Sequence, residues 1–452
     1  MSKNSRTGVL SVSHYDRRKM LITFSIVMIA LVIDLFISNI ADIVSSQIVT
    51  FWGISLFVGL SVVCVVGQYL IIGMLKTKNK EVNVSSYNVK KFEIAATILQ
   101  YIITAIMLFV ILQIIFTHNY YTTLLSATTA ISYGFVVFFL ITLAYRFLSW
   151  FKISKSLVVL LYALAAIMIC ANAVDSILYF DVILFGKPAL ITPQSQVIFQ
   201  TGSYPGSFMS LVNIFQAYSL NAYFILTWAG TILLLRHHLQ RLGRIKFWAV
   251  ITFPVIFFMS YYISYYQAFN PSSPVTAAIS SNLLIPIFII TASITLCGIF
   301  FGIGFWSLAK GLPLNSRVKD YTIITACGFI LYFNCAQATV LQAAYPPYGL
   351  ANVSFVGLAA FLILMGLHNS AISVAQDAQL RKSIKTSTLH QSSKLLDTIG
   401  TAQMTREIED NVLRMTRNNA ATLTEQSGVE PSLTENEIKS YVDKVISEVK
   451  KK

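Results

Sequence analysis

The chain alternates long apolar runs with short polar segments. Ten of the runs are long enough, at about 1.5 Å per residue, to cross roughly 30 Å of hydrocarbon as helices. They cover approximately residues 20–37, 51–75, 92–116, 124–148, 157–178, 212–235, 247–269, 283–309, 321–342 and 352–373. Because the runs are unbroken rather than alternating, the strands of a membrane barrel are excluded. The pattern predicts an all-α, polytopic membrane helix bundle of about ten transmembrane spans with an amphipathic helical cytoplasmic tail.

This pattern divides the chain into three regions. Residues 1–19 form a cytoplasmic N-terminal segment, residues 20–373 the transmembrane domain, and residues 374–452 the cytoplasmic tail. One outer connection, residues 181–211, is longer than the others and contains several prolines and glycines. We expect it to be an ordered cap or a flexible loop and not a separate domain with its own core.

The basic residues predict the orientation. Of the 33 lysines and arginines, all except Lys187 precede the first run, follow the last run, or lie at alternate connections. Short basic segments resist translocation, so these connections are expected inside and both termini are predicted to be cytoplasmic, in a plasma membrane. The net charge of +14 is mostly juxtamembrane. It favours contact with the anionic inner leaflet of the lipid bilayer, and nucleic acid is not expected as a partner.

The tail keeps helical periodicity in a polar composition. Gly400 is expected to interrupt it, and Pro431 precedes a capping-box sequence that predicts a final helix. The apolar stripes of the tail are Leu380 and Ile384, then Met404, Ile408, Val412 and Met415, then Ile438, Tyr441, Val442, Val445, Ile446 and Val449. Each needs a surface to pack on. The tail of residues 374–452 therefore packs against the cytoplasmic loops, self-associates with a second copy, or docks a separate protein partner.

Catalytic motifs are absent from the sequence. It contains no phosphate-binding loop, no His-Glu-x-x-His, no nucleophile elbow and no Cys-x-x-Cys. Its five cysteines lack metal-ligand spacing. We therefore expect no enzyme activity, no cofactor and no metal site.

Two carboxylates lie inside the apolar runs, where an uncompensated charge costs several kcal/mol. Asp34 lies about 21 Å into the first run and Asp175 about 27 Å into the fifth, so both are expected in the outer third of the membrane. Amides accompany them at or outside mid-membrane, and the candidate substrate-binding residues are Asp34, Asn172, Asp175, Asn221, Asn334 and Gln337. If their helices adjoin, these side chains enclose an outer pocket for a cation, a proton or another small polar solute. The alternative is that the carboxylates reach the interface and the amides form hydrogen bonds between helices.

Gly298 and Gly302 form a Gly-x-x-x-Gly pair in the eighth run. Such a pair lets a neighbouring backbone approach closely, so both residues are predicted to pack against another helix.

Two tail segments, Leu395–Met404 and Glu425–Glu430, resemble tails of archaeal multi-spanning membrane proteins of unassigned function. The resemblance implies a prokaryotic plasma membrane and supplies no site residues. Because acidic and amide residues lie within the apolar runs, the sequence favours a permease for a small cation or polar solute. The alternatives are a membrane sensor that signals through its tail and an assembly or scaffold subunit.

Overall fold

The computed structural model describes eleven helices and one two-stranded sheet. The described residues are 5–41, 51–81, 87–185, 188–193, 208–236, 243–269, 284–313, 316–336, 344–377, 381 and 390–427. The first ten helices are α1 (Ser5–Ala41), α2 (Phe51–Glu81), α3 (Tyr87–Thr117), α4 (Thr122–Ser154), α5 (Leu157–Phe185), α6 (Phe208–Leu235), α7 (Arg244–Phe269), α8 (Leu284–Lys310), α9 (Arg317–Cys335) and α10 (Leu350–Gln376). The tail helix is α11 (His390–Ser427). The predicted all-α bundle is confirmed.

Nine helices in the described part of the chain, α1–α8 and α10, are long and apolar enough to cross a membrane. The chain is therefore an integral membrane protein. The remaining predicted span, residues 321–342, corresponds to α9. That helix has only 19 residues, begins at Arg317 and already ends at Cys335. Its first turn contains the charged residues Lys319 and Asp320, which shorten its apolar part.

Helix α10 lies at the centre of the bundle. Each of its residues from Leu350 to Ala375 is buried. It packs most extensively against α9 and α4, and also against α1, α2 and α3. Helices α5 to α8 form a further layer, in which α5 packs on α4 and α8 packs on α9. A predominantly apolar helix suits this enclosed position.

The ends of the bundle are distinguished by what covers them. At one end, here called the strand end, β1 (Tyr120–Tyr121) pairs antiparallel with β2 (Leu190–Ile191), and Gly349 begins α10. At the other, here called the tail end, α11 packs against α10 and α4. The strands place part of the predicted long connection, residues 181–211, next to the start of α4, and residues 194–207 lie outside the described residues.

The glycine pair of α8 lies at a close helix crossing. A Cβ atom on Gly298 would be 3.2 Å from the carbonyl oxygen of Ile330, and one on Gly302 would be 3.0 Å from that of Ala326. Both acceptors belong to α9. The backbones of α8 and α9 therefore approach each other closely, as the small-residue motif predicts.

The tail helix differs from the prediction at Gly400. Instead of interrupting the helix, Gly400 lies within α11, which continues from His390 to Ser427. A Cβ atom there would collide with the side chain of Val374. Gly400 therefore serves the close packing of α11 on α10. The predicted stripe residues Leu380 and Ile384, and the stripe of residues 438–449, lie outside the described residues.

Candidate functional site

Asp34 of α1 is 1% exposed and caps the start of α10. Its carboxylate accepts hydrogen bonds from the backbone N–H of Gly349 at 3.1 Å, from that of Asn352 at 3.3 Å, and from Asn352 Nδ2 at 2.8 Å. Gly349 is the N-cap of α10, adopts φ of 89° and has no side chain to cap the helix. Asp34 therefore supplies, from another helix, the acceptor that an N-cap side chain usually provides. The positive end of the helix dipole also favours a carboxylate here.

Hydrogen bonds connect Asp34 to a second predicted site residue, Asn334. Asn334 Nδ2 donates to Asn352 Oδ1 at 3.4 Å, and Asn334 Oδ1 accepts from Thr295 Oγ1 at 2.9 Å. Asn39 Nδ2 adds a bond to Thr291 Oγ1 at 3.0 Å. These residues, here called the strand-end network, join α1, α8, α9 and α10. Asp34 and Asn334 are thus brought together, through Asn352.

Two other predicted amides form separate contacts between helices. Asn172 Nδ2 of α5 donates to Ser219 Oγ of α6 at 2.9 Å. Asn221 Nδ2 of α6 donates to Tyr262 Oη of α7 at 2.9 Å. Among the described residues, neither bond belongs to the strand-end network. Gln337, the remaining predicted amide, lies outside the described residues.

Asp175 of α5 is buried in a different setting. Its Oδ2 atom has no hydrogen-bond partner among the described residues. Helix α5 packs on α4 and α6, whereas α1, which carries Asp34, packs on α2, α8, α9 and α10. The two carboxylates therefore belong to different helix groups. Asp175 differs from Asp34 in having an oxygen that the described fold does not use.

An ion cluster that the sequence analysis missed lies at the tail end. Asp320 of α9 forms salt bridges with Arg17 at 2.6 Å and with Lys78 at 2.7 Å. Loss of hydration lowers the pKa of Lys319; the neighbouring Arg17 lowers it further, and Asp320 opposes both effects. No sequence signal identified this cluster, because Asp320 lies 242 positions from Lys78 and 303 from Arg17.

Amides extend this polar region between α2, α9 and α10. Asn79 Oδ1 accepts from Tyr321 Oη at 3.1 Å and from Asn369 Nδ2 at 2.9 Å. Asn79 Nδ2 in turn donates to Glu93 of α3. Four helices are therefore joined next to the Asp320 ion cluster.

The tail helix packs through its first half. Leu395, Leu396 and Ile399 are buried, and Gln403 Oε1 accepts a bond from Trp150 Nε1 at 3.1 Å. The predicted stripe of Met404, Ile408, Val412 and Met415 is not this packed face, since Ile408 is 41% and Met415 63% exposed. The described part of the tail thus packs on the membrane helices, and Ile408 and Met415 of its second stripe stay exposed.

Two small clefts lie near these polar regions, and both are mainly apolar. The first is lined by Met20, Phe24, Ile71, Met74, Leu75, Lys78, Ile324, Cys327 and Leu362. The second is lined by Leu220, Tyr223, Phe224, Phe258, Tyr261, Ile294, Cys297 and Phe333. Neither is lined by Asp34 or Asp175, so neither hydrates these carboxylates.

The sequence matches no protein-family model, and neither the curated proteins nor the solved structures contain a significant match to it.

Proposed function

We propose that the protein is a membrane sensor that transmits a signal from the strand end, through α10, to the tail helix α11. The observation that carries the proposal is the position of α10. One enclosed helix holds the strand-end network at its start and contacts α11 near its end. A displacement at the start of such a helix must be accommodated by the elements packed along it, because packed interfaces change between discrete arrangements.

The polar groups of the strand-end network support sensing over passage of a solute. The Asp34 carboxylate already receives backbone and side-chain donors, and Asn334 is hydrogen-bonded at both its oxygen and its nitrogen. A permease site must offer such groups to its substrate. Here they hold α10 to its neighbours, and a stimulus that changes this contact changes the position of α10.

The positions of the basic residues support a cytoplasmic location for the tail end. Arg17, Lys78 and Lys152 all lie towards the tail end, where α11 packs. Under the positive-inside rule, the tail end faces the cytoplasm of a plasma membrane and α11 is the output element. The exposed residues Ile408 and Met415 offer the tail an apolar contact for a protein partner or a second copy.

The test is hydrogen exchange of α11 in full-length protein reconstituted in nanodiscs. Asp34→Asn removes the carboxylate and puts an amide donor opposite the N–H groups that start α10. We expect exchange in peptides covering residues 395–407 to accelerate at least severalfold. The matched control is Asp181→Asn on α5, which changes an exposed carboxylate and should leave α11 unchanged. Unchanged exchange of α11 in Asp34→Asn, with faster exchange at residues 349–357, would refute the coupling.

A second function, transport of a cation or proton, is favoured by one observation. Asp175 keeps a buried oxygen without a partner among the described residues. An intramembrane carboxylate in this state suits protonation or cation binding. In proteoliposomes under an imposed pH or cation gradient, transport predicts a flux that Asp175→Asn removes. Flux equal to that of empty liposomes in both proteins would exclude Asp175 as a transport residue for the tested ions.

A further inference from the structure

Three basic side chains from three neighbouring helices lie in the same region of the tail end. They are Arg146 of α4, His368 of α10 and Arg406 of α11. Helix α11 packs on both α4 and α10, so the guanidinium charges of Arg146 and Arg406 act on each other and on the His368 ring. The three residues are here called the basic triad.

Direct contacts fix the position of Arg406 on α4. Its Nη1 atom donates to Ser149 Oγ at 3.0 Å, and its guanidinium carbon lies 5.8 Å from the centroid of the Tyr145 ring. Ser149 follows Arg146 by three positions, so the two residues are neighbours on one face of α4. Arg406 therefore reaches α4 within one helical turn of Arg146.

The basic triad has unused hydrogen-bonding capacity. His368 is 2% exposed, and neither of its ring nitrogens has a partner among the described residues. A neutral imidazole carries one donor and one acceptor, and leaving them unpaired in the interior is unfavourable. Arg146 is half-buried, and its guanidinium has no acceptor in the described part of the chain. The His368 ring nitrogens and the Arg146 guanidinium are therefore available to bind a ligand.

The acidic groups around the basic triad do not balance it. Asp410 lies 4.0 Å from Arg406 Nε, but its side chain is 72% exposed. Glu407 accepts from Gln403 Nε2 at 2.9 Å. By contrast, the buried Asp320 is paired with two cations at the same end of the bundle. No salt bridge in the described part of the chain joins Arg146 or Arg406 to a buried carboxylate such as the one that pairs with Arg17 and Lys78.

We propose that Arg146, His368 and Arg406 bind the phosphate group of a ligand between α4, α10 and α11. Guanidinium forks match phosphate oxygens in pairs, and an imidazole N–H supplies a further donor. The bound phosphate joins α11 to the membrane helices, because its ligands come from both sides of that contact. The phosphate is a terminal one, carried by a phosphomonoester lipid headgroup or by a soluble phosphate, because a diester phosphate has fewer free oxygens to pair with two guanidinium groups. The site does not depend on the signalling role proposed above.

The test measures hydrogen exchange of α11 in full-length protein in phosphatidylcholine nanodiscs. One arm adds inorganic phosphate, and a second replaces part of the lipid with phosphatidic acid, whose headgroup is a phosphomonoester. Phosphatidylglycerol at equal charge is the lipid control. We expect one of the two phosphate probes to slow exchange at residues 395–407 about fivefold or more, and phosphatidylglycerol to have less effect. The arm that responds identifies the source.

Variants test whether the basic triad causes the slower exchange of α11 with the active probe. Arg146→Gln and Arg146→Lys are expected to remove most of this fivefold protection by the active probe, because both remove the planar fork. Arg414→Gln removes an equal charge from the exposed side of α11 and should respond like the parent protein. Unchanged exchange at residues 349–357 shows that the variants remain folded. Protection by neither probe, equal protection by phosphatidylglycerol, or full protection in folded Arg146→Gln would each overturn the proposal.

Discussion

At the scale of single residues, the described part of the chain contains three buried carboxylates in three different environments. Asp34 receives N–H donors at a helix start, Asp320 is paired with Arg17 and Lys78, and Asp175 retains an oxygen without a partner in the described structure. A charge at membrane depth is stable only where protein, water or a counter-ion replaces its hydration. Asp34 and Asp320 therefore stabilise the fold, whereas one oxygen of Asp175 is not used by the described structure.

The role of Asp34 as a helix cap predicts a large loss of stability in Asp34→Ala. The substitution leaves the N–H groups of Gly349 and Asn352 without their buried acceptor, and each unpaired group costs about 1–3 kcal/mol. We expect the free energy of unfolding to fall by about 3 kcal/mol, measured by thermal unfolding in detergent. Asp181→Ala, which alters an exposed carboxylate, should change it by less than about 0.5 kcal/mol. Equal unfolding temperatures for the two variants would contradict the capping role.

The ion cluster at the tail end gives a second prediction. Asp320→Asn leaves Arg17 and Lys78 without their shared counter-ion in a mostly buried position. Breaking such a pair on one side costs about 3 kcal/mol, whereas an exposed pair contributes about 0–1 kcal/mol. We therefore expect Asp320→Asn to lower the unfolding temperature far more than Asp410→Asn, whose carboxylate is 72% exposed. A similar small effect in both would show that the Asp320 cluster is screened by solvent.

Residue-level chemistry could be predicted from the sequence only in part. An acidic residue at membrane depth is visible in the apolar run, and this identifies Asp34 as a candidate site residue. Its partners are not visible, because Gly349 and Asn352 lie 315 and 318 positions away. Asn172 and Asn221 show the same limit: they use their amides between neighbouring helices, as the alternative interpretation expected.

At the scale of helices, close crossings depend on glycines that face backbone. Gly302 of α8 contacts α9, and Gly366 of α10 faces the backbone of Thr325 and Tyr321 on the other side of α9. Helix α9 is thus held between two close neighbours. The sequence showed the Gly298 and Gly302 motif by its spacing, but a lone glycine such as Gly366 has no spacing to indicate its partner.

These crossings predict opposite effects for two Gly→Ala changes. In Gly366→Ala the new Cβ atom would lie 2.8 Å from both Thr325 N and Tyr321 O, so the helices must separate. We expect a loss of about 1–3 kcal/mol in the free energy of unfolding, as for other overpacked sites. At Gly134 of α4 nothing lies within 4 Å, and alanine should be neutral or stabilise by up to about 1 kcal/mol. Comparable unfolding temperatures in detergent would disprove the crossing geometry.

At the scale of the whole molecule, the arrangement is organised around α10. In sequence this helix is one apolar run among ten. Its polar residues Asn352, His368 and Asn369 are tolerated because other helices enclose it on all sides. Hydropathy reports length and apolarity but not neighbours, so the sequence predicted a membrane bundle without identifying its centre. For the same reason, the sequence predicted a similar depth for Asp34 and Asp175 but could not show that they belong to different helix groups.

The orientation of the molecule can be tested on one helix. Helix α4 has 33 residues and so extends about 50 Å, enough to place its ends on opposite sides of a membrane. Thr123 and Lys152 are exposed near these ends, while the five native cysteines are buried and should give little background labelling. The basic residues predict that a membrane-impermeant maleimide labels Thr123→Cys on intact cells and labels Lys152→Cys only after permeabilisation. The reverse pattern would place the tail helix, the Asp320 cluster and the basic triad outside the cell, where a cytoplasmic signalling output from α11 is impossible.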